Sequence, residues 1–408
     1  MEAVDFLVVG CGPAGAAAAR EAARAGLETV VLEKDAVVGA KRVCAAGLRP
    51  GFCETFDLPR AIVHCDTPRL ALFDAADAEH EVLFGPGHTT TREELDGTMG
   101  RLAACEGAQI RTQALFRGVA SDGNRRAIVE YADLRAGERR CISARNVFLA
   151  PGATAALDDD GGSGPRKTPP GLAFDRWRDG LMTTLQYRVY LDGPAAEIAY
   201  RTLELHYYAA HDGRQIVAWM FPKRDHLAIG LGFLGKMPGR ELRGELDAFT
   251  QRVRRRLYPD VGVRHVKQEG HLLYGGLPRP GFADGNVLLG GTAAGLVDAT
   301  NGEGIFEAAM SGRLAAQAVA GERSDPMRAA TQYASRVAGR FARRLAHRVK
   351  LMRFLERRPG RYGVLFERLA ASPRFADVLQ KEDRERTIGD RCYLYGQALR
   401  FLVRAANA

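Results

Sequence analysis

The chain has 408 residues, of which 46% are hydrophobic and 26% are charged, and its formal net charge is +9. This is an ordinary globular composition, with enough length for two or three subdomains. No uncharged apolar run reaches transmembrane length, and no RNA- or DNA-binding motif accompanies the basic charge. We therefore expect neither a membrane-spanning segment nor a nucleic-acid partner.

The seven cysteines are odd in number and scattered, without the spacing of a metal site. We expect reduced thiols in a cytoplasmic protein and no bound metal. Glu2 and Asp5 stand where the basic region of a signal peptide would be, so no signal peptide is expected.

The N-terminal stretch has the pattern of a βαβ unit that binds a dinucleotide. Residues 6–9 are an apolar strand, and three glycines follow in the spacing G-x-G-x-x-G: Gly10, Gly12 and Gly15. An alanine-rich helix covers residues 14–25, and a second apolar strand at residues 28–32 ends at the acid Glu33. The glycines allow a tight turn and close approach of the backbone to a pyrophosphate, which the helix N-terminus attracts. Glu33 can accept hydrogen bonds from an adenosine ribose. The pattern predicts an ADP-containing ligand and leaves FAD and NAD(P) both open.

Residues 34–153 are predicted to form a loop, short strands and one helix. Thr91 can cap this helix, with Glu94 three residues later as in a capping box. The predicted segments are a loop at 34–48, short strands within 62–91, a helix from Thr91 to about Glu106, and strands at 109–115, 118–121, 127–132, 139–143 and 146–150.

From about residue 182 to 233 the apolar residues recur with a period of two, which predicts an antiparallel sheet. A polar loop rich in glycine and proline precedes it at 157–171, and a helix follows it at about 240–257. A buried strand at 286–290 and a helix at about 304–320 indicate that the dinucleotide domain then resumes.

The tail from about Met327 is predicted to be helical throughout. One apolar stripe at helical spacing comprises Val337, Phe341, Leu345, Val349, Met352 and Leu355. Residues 336–358 hold nine Lys or Arg and one acid, Glu356. Two interpretations stand side by side: a helix packed on the core with a solvated basic face, and peripheral docking on an anionic membrane surface.

The N-terminal unit, the stretch from Gly290 to Ile305 and the sheet between them resemble the FAD-dependent flavoproteins of the para-hydroxybenzoate hydroxylase fold. The resemblance implies FAD, with the helix after Ile305 pointing its N-terminus at the flavin. The expected fold class is α/β, with a Rossmann-like FAD-binding domain, an inserted antiparallel-sheet substrate domain and a C-terminal helical region. The expected boundaries are 1–60, 90–165 and 275–325 for the discontinuous FAD-binding domain, 61–89 and 166–274 for the substrate domain, and 326–408 for the helical region.

Within that fold the chain is most similar to the geranylgeranyl reductase family. The family pattern is aromatic-x-Trp-x-Phe-Pro, then seven or eight residues, then Gly-x-Gly. The residues that match it in type and spacing are Trp219, Phe221, Pro222, Gly230 and Gly232, whereas Val217 stands in the place of the first aromatic residue. The resemblance covers roughly residues 4–320, and it implies that the matching residues contribute to the substrate site.

Other stretches resemble the family's cofactor site. Lys41 to Gly47 is similar to its Lys-Pro-Cys-Gly-Gly loop beside the flavin, and Arg92 and Asp96 are similar to its Arg-x-x-Phe-Asp segment. The cofactor-binding residues implied by the βαβ unit and the resemblance are Gly10, Gly12, Pro13, Ala14, Gly15, Glu33, Lys34, Val43, Cys44, Arg92, Ala150, Gly152, Gly291, Thr292, Gly302, Gly304 and Ile305.

The resemblance implies reduction of isolated carbon–carbon double bonds in a prenyl chain, by hydride from reduced FAD and a proton from the protein or water. Because an alkene has no polar handle, the site must be an apolar tunnel. Trp219 and Phe221 supply such a wall, whereas Met220 is expected in the sheet core. Cys44 either assists protonation as a catalytic residue or is a small buried hydrophobe.

The role of Lys41 and Arg42 remains open. These two residues either hold a diphosphate, phospholipid or flavin phosphate, or they lie in a solvated loop. His226 is expected in a turn. The expected partners are a prenylated small molecule or lipid and an electron donor, NADPH or ferredoxin. A prenyl diphosphate, a tetrapyrrole, a membrane lipid and a quinone tail all fit one apolar tunnel.

Two alternatives stand beside the reductase. The first is a flavin-dependent monooxygenase or halogenase of the same fold that acts on an aromatic substrate. The second is a degenerate flavoprotein that serves as a lipid-binding or accessory subunit. It is suggested by Thr292 in place of the usual aspartate and by Ala45 and Ala46 in place of glycines near the flavin.

Overall fold

A computed structural model describes residues 1–40, 44–82, 87–121, 126–153, 169–235, 237–381 and 385–405. The predicted residues Lys41, Arg42 and Val43 lie outside these ranges. The described strands are β1 (Glu2–Val9), β2 (Thr29–Leu32), β3 (Gly47–Leu48), β4 (Cys65–Thr67), β5 (Arg69–Phe73), β6 (Glu79–Val82), β7 (Gly87–Thr89), β8 (Gln109–Arg111), β9 (Ala114–Ser121), β10 (Ala127–Asp133), β11 (Glu138–Leu149), β12 (Leu181–Leu191), β13 (Thr202–Ala209), β14 (Gln215–Pro222), β15 (His226–Leu234), β16 (Val263–Tyr274), β17 (Ala283–Asp284) and β18 (Val287–Leu289).

The α-helices alternate with the strands along the chain and follow them in its C-terminal part. They are α1 (Pro13–Arg24), α2 (Phe52–Thr55), α3 (Arg92–Cys105), α4 (Ala195–Ile198), α5 (Gly239–Leu257), α6 (Ile305–Gly321), α7 (Pro326–Val337), α8 (Arg343–Glu356), α9 (Gly360–Ala371), α10 (Pro373–Gln380) and α11 (Ile388–Ala405). Within the described ranges, none of the helices has both the length and the hydropathy that crossing a bilayer requires.

The first sheet is built around β1, which pairs in parallel with β2 on one side and β11 on the other. Its order is β17-β18-β11-β1-β2-β8, and β10 and β9 extend from β11 as an antiparallel flap. β1 is apolar on both faces because helices cover the sheet, and Phe6, Leu7 and Val8 are completely buried. The two strands predicted at 139–143 and 146–150 form one continuous strand, β11.

Helices α1 and α6 pack closely beside this sheet. A Cβ at Gly312 of α6 would lie 1.9 Å from the carbonyl oxygen of Ala14 in α1, so only glycine permits the approach. A Cβ at Gly291 would lie 3.1 Å from Cβ of Ala14 and 3.6 Å from Cβ of Ala308, so the first turns of α1 and α6 lie on either side of the same loop. Both helix N-termini therefore lie near the carboxyl ends of β1 and β2, where α/β sheets bind their ligands.

The second sheet has the order β16-β12-β15-β14-β13-β5-β6. All its neighbouring strands are antiparallel except β13 and β5. Strand β14 shows why the sheet is covered on both faces. Its residues Ile216, Ala218 and Met220 belong to the core under α5, whereas Val217, Trp219 and Phe221 pack towards the C-terminal helices. Met220 is completely buried in the sheet core, as expected from its place in the strand.

The C-terminal helices pack on the body of the protein through the predicted apolar stripe. Its six members are all buried, with exposed fractions between 0% and 4%. The stripe is therefore part of the core and is not available to a membrane surface. A small third sheet has the order β3-β7-β4.

Candidate functional site

The glycine turn after β1 has the shape that a bound pyrophosphate requires. Gly10 has φ +88°, and a Cβ there would lie 2.5 Å from the carbonyl oxygen of Ala150. A Cβ at Gly15 would lie 1.8 Å from the carbonyl oxygen of Gly10, so this glycine lets α1 pack against the strand. Pro13 opens α1, which leaves its first N–H groups facing the cavity beside Gly12.

Glu33 lies beside the same turn, where the sequence predicts contact with a ribose. Its carboxylate accepts hydrogen bonds from the backbone N–H of Cys11 at 2.8 Å and of Asp35 at 3.0 Å. These two bonds fix the carboxylate at the cavity wall, where both Glu33 and Lys34 are exposed to a ligand.

Arg92 lies against the opposite side of the turn. Its Nη2 would be 3.5 Å from a Cβ at Gly12, and it donates to the Asp96 carboxylate at 2.6 Å. Burial alone would lower the pKa of Arg92, but the Asp96 carboxylate outweighs burial and raises it. Arg92 is therefore a permanent buried cation beside the proposed pyrophosphate site.

The prediction that Thr91 caps the helix is confirmed, since the Thr91 hydroxyl accepts from the Glu94 N–H at 3.3 Å.

Residues from three loops form the end of the crevice where the flavin is expected. Ala150 and Gly152 follow β11, Gly291 and Thr292 follow β18, and Gly302, Gly304 and Ile305 lead into α6; all of these line one cavity. Gly291 and Gly302 have φ values of +60° and +75°, which favour glycine. Because α6 begins at Ile305, its positive N-terminal end faces the cavity.

Lys223 supports the loop beside this end and was not predicted from the sequence. Its Nζ donates to the carbonyl oxygens of Ala45 at 2.5 Å and Ala46 at 3.4 Å. Ala46 has φ +45°, a left-handed conformation that is strained for a residue with a Cβ. Burial lowers the pKa of Lys223 to about 7. This lysine therefore holds the strained loop that carries Cys44, whose side chain faces the cavity.

Trp219 and Phe221 line the cavity, and the glycines of the same motif make room for them. Trp219 pairs across the strands with Gly230, where a Cβ would lie 2.4 Å from the indole Cζ2. The indole N–H donates to Oε1 of Gln186 at 3.0 Å. Phe221 similarly occupies the space above Gly47, at 2.7 Å from a Cβ there.

An apolar branch extends the cavity away from the dinucleotide crevice towards the C-terminal helices. The whole cavity has a volume of about 1120 Å³. The apolar side chains that line this branch come from β5, β13, β14 and α8 to α10: Leu70, Leu72, Leu203, Leu205, Tyr207, Trp219, Phe221, Leu351, Leu355, Tyr362, Leu365, Phe366, Leu369, Ala376 and Leu379. The tail helices thus form one wall of the site, a role that the sequence did not indicate.

A buried cluster of ion pairs ties the tail to the loop before α6. Arg49 donates to Glu303 at 2.6 Å and to Glu307 at 2.7 Å. Arg344 of α8 reaches the same Glu307 oxygen at 2.6 Å, and Arg348 lies 3.2 Å from Asp298. Two of the tail's basic residues are therefore structural links to the site, and they do not belong to a solvated face.

Most of the predicted site residues are brought together in this one cavity. Of the predicted cofactor residues, all described ones except Gly15 line it, and Val43 lies outside the described residues. Of the predicted substrate residues, Trp219 and Phe221 line it, whereas Pro222, Gly230 and Gly232 stand behind them.

His226 does not lie in the predicted turn but is the first residue of β15, where it is 2% exposed. Burial lowers the pKa of its side chain to about 4. In the described part of the chain, no group of three or more His, Cys, Asp or Glu side chains could hold a metal ion.

The described residues fit FAD. The glycine turn and Arg92 suit a pyrophosphate, and Glu33 suits a ribose. The cavity continues past the pyrophosphate site to glycine-lined loops and a second helix N-terminus, which suits an isoalloxazine ring.

Comparison with known proteins agrees with this geometry. A family model described as FAD dependent oxidoreductase matches residues 5–147. The chain is 28% identical to a chloroplastic geranylgeranyl diphosphate reductase from Oryza sativa. The match extends over 330 residues and covers 76% of this chain and 65% of the rice protein. It is 26% identical to a digeranylgeranylglycerophospholipid reductase from Thermoplasma acidophilum. This second match extends over 345 residues and covers 78% of each chain.

A solved structure of a geranylgeranyl bacteriochlorophyll reductase-like protein from Thermoplasma acidophilum superimposes with a TM-score of 0.68 at 21% identity, covering 99% of this chain and 100% of the other. Flavin-dependent halogenases and monooxygenases share the fold. The expected α/β fold and the expected resemblance are both confirmed. The chain is similar over residues 5–147 to the FAD dependent oxidoreductases and over 76% to 78% of its length to the reductases from Oryza sativa and Thermoplasma acidophilum.

Proposed function

We propose that this protein saturates carbon–carbon double bonds of a geranylgeranyl or related prenyl chain. The observation that carries the proposal is the apolar branch, which joins the dinucleotide crevice within one cavity. An aromatic substrate needs a compact pocket, whereas a long branch lined by leucine and aromatic side chains suits a flexible hydrocarbon chain. The reductases named above, which are similar over most of this chain, act on substrates of that kind by their names.

The chain's own residues would position the alkene and exclude water. When bound, reduced FAD supplies the hydride that this chemistry requires. Trp219 is fixed by its bond to Gln186 and by Gly230 beneath it, so it offers a rigid wall against which the prenyl chain lies. Cys44, on the loop held by Lys223, faces the same cavity and is the proposed source of the proton.

The experiment begins with the purified holoprotein under anaerobic conditions. Dithionite reduces the protein, which is then incubated with a geranylgeranyl diphosphate, a geranylgeranylated glycerolipid and a prenylated quinone. The proposal predicts at least one product heavier by two hydrogens or a multiple of two. A hydroxylated or halogenated product in air would support the first alternative, and a protein that takes up no FAD would support the second.

The electron donor and the biosynthetic setting are further parts of the proposal. We propose NADPH or ferredoxin as the donor and membrane lipid biosynthesis as the setting. Mixing the oxidised protein with each donor separately under anaerobic conditions and following the visible flavin absorbance distinguishes the two. Bleaching by neither donor would contradict this part of the proposal.

A further inference from the structure

A series of hydrogen bonds runs from the first turn of α3 to the indole of Trp219. Arg188 of β12 donates from Nη2 to Oε1 of Glu93 at 2.9 Å and from Nε to Oε2 of Glu269 at 3.0 Å. Gln186 donates from Nε2 to the same Glu269 oxygen at 3.5 Å. Its Oε1 accepts from the indole N–H of Trp219 at 3.0 Å. These five side chains are here called the Arg188 network.

The register of the second sheet brings the members of the network together in one row. Trp219 of β14 is paired with Gly230 of β15, Gly230 with Gln186 of β12, and Gln186 with Glu269 of β16. Because Gly230 has no side chain, the indole lies over β15 and reaches Gln186 on the strand beyond it. Arg188 stands two residues after Gln186, so it lies on the same face of the sheet.

The middle of the Arg188 network is shielded from solvent. Arg188 and Glu269 are each 7% exposed, and Gln186 is 1% exposed. A hydrogen bond to a charged group is stronger than a neutral one, and a low local dielectric strengthens it further. The indole of Trp219 is therefore attached to a rigid, buried group of polar side chains.

The donors and acceptors fit the network in one direction only. An indole N–H donates and cannot accept, so Gln186 must present its oxygen to Trp219 and its amide nitrogen to Glu269. Only an ionised carboxylate is purely an acceptor for that nitrogen. Burial raises the pKa of Glu269, and Arg188 opposes this rise. Without Arg188, the Glu269 carboxyl would bind a proton more readily and would no longer fix the orientation of the amide.

The other end of the network lies at the predicted cofactor site. Glu93 follows Arg92 in the first turn of α3, and Arg92 lies beside the glycine turn at Gly12. Arg188 therefore joins the helix beside the expected pyrophosphate site to the strands that carry the cavity wall.

We propose that Arg188 is a positioning residue, which acts through Glu269 and Gln186 to hold the Trp219 indole in one orientation. Trp219 lines the cavity, whereas Arg188 stands behind it, so an effect of Arg188 on the ligand must pass through its neighbours. The fixed indole follows from the hydrogen bonds alone. Its purpose, which is to orient a prenyl alkene, rests on the proposed function.

The first test is fluorine NMR of the FAD-loaded protein grown with fluorotryptophan. The protein has two tryptophans, so two resonances are expected, and Trp177→Phe assigns them. Arg188→Met and Gln186→Leu should each shift or broaden the Trp219 resonance and leave that of Trp177 unchanged. Gln186→Leu keeps both ion pairs of Arg188, so it provides the test on its own if Arg188→Met does not fold.

Tyr187→Phe is the matched control. Tyr187 lies between Gln186 and Arg188 but belongs to the core on the opposite face of β12, where its hydroxyl donates to Asp247 at 2.8 Å. This variant loses a hydrogen bond from the same strand and should leave both resonances in place. A wild-type Trp219 resonance in folded Gln186→Leu protein would overturn the proposal.

A double-mutant cycle tests whether Arg188 acts through Trp219. Arg188→Met should lower kcat/KM for a geranylgeranyl substrate about tenfold, mainly by raising KM. In a Trp219→Phe protein the same change should cost less than about twofold, because the indole that Arg188 positions is absent. Equal losses in the two backgrounds would also overturn the proposal.

The two measurements separate this inference from the proposed function. A wild-type protein that reduces no prenyl substrate, but whose Trp219 resonance moves in both variants, would contradict the proposed function and support the positioning. A wild-type protein that reduces a prenyl substrate, but whose Trp219 resonance moves in neither variant, would contradict the positioning alone.

Discussion

The indole of Trp219 occupies the space above Gly230 on the neighbouring strand, where a Cβ would lie 2.4 Å from the indole Cζ2. The two residues are paired directly across β14 and β15. This relationship explains why the motif couples a tryptophan with a glycine eleven residues later: the glycine makes the tryptophan's position possible. The second glycine acts in the same way, since a Cβ at Gly232 would lie 2.9 Å from Cγ2 of Thr184.

Gly230→Ala should therefore move Trp219 out of the cavity wall. We expect a loss of about 1 to 3 kcal/mol in the free energy of unfolding, together with a raised KM for the prenyl substrate and an unchanged FAD content. Urea unfolding and steady-state kinetics measure the two effects. Gly244→Ala is the control, because Gly244 lies in α5 with nothing within 4 Å of its Cβ position. That substitution should be neutral or stabilising.

Glu33→Ala should weaken FAD binding without unfolding the protein. The carboxylate accepts from the Cys11 N–H at 2.8 Å, and with FAD bound it would also accept charge-assisted hydrogen bonds from the ribose. Losing one such contact should raise the Kd for FAD about tenfold to a hundredfold. Quenching of flavin fluorescence measures the Kd. Glu28→Ala, on the exposed side of the same unit, should leave it unchanged.

The sequence was sufficient to predict residues that the structure brings together around one cavity, because the determinants of the N-terminal βαβ unit are local. The glycines, the helix and Glu33 lie within one stretch of 33 residues, and each has a backbone reason to be where it is. The antiparallel sheet was visible for a similar reason, since β14 buries one face under α5 and so alternates along its length. Edge strand β16 was missed because it presents polar residues on both faces, as in Arg264, His265 and Lys267.

The substrate half of the site was less predictable because it depends on long-range packing. Lys223 and Ala45 are 178 residues apart, and Arg49 and Glu307 are 258 residues apart, so nothing in the local pattern relates them. The tail shows one apolar stripe in its sequence, but periodicity alone does not say which apolar residues of the tail pack in the core and which line a cavity.

Lys223 should make the stability of the fold depend on pH. Burial lowers its pKa to about 7 from an ordinary value of 10.5. Between these values the unfolded chain binds a proton that the folded chain does not, so stability rises as pH increases from about 7 to about 10. The rise attributable to this residue should be about 3 to 4 kcal/mol, and it should be missing in Lys223→Met. Urea unfolding of both proteins across this range measures the difference; parallel curves would contradict the assignment.

Leu365→Trp should shorten the hydrocarbon chain that the apolar branch accepts. The larger side chain fills part of the branch beside α9 while leaving the dinucleotide crevice untouched. We expect at least about a tenfold loss of kcat/KM for a twenty-carbon prenyl chain relative to a ten-carbon one, with FAD content unchanged. Val266→Trp, at a 49% exposed position on β16, controls for the added bulk. An equal loss for both chain lengths would argue against a tunnel in this position.

The central claim is that the apolar branch presents an alkene to the reduced flavin. An anaerobic single-turnover experiment tests it most directly, by adding a geranylgeranyl compound to the dithionite-reduced protein after excess reductant is removed. The account predicts that the visible absorbance of oxidised flavin returns in step with a product heavier by two hydrogens, and that the fully saturated analogue produces neither change. A flavin that stays reduced in the presence of every prenyl compound, yet reoxidises and forms a hydroxylated product when oxygen is admitted with an aromatic compound, would contradict it.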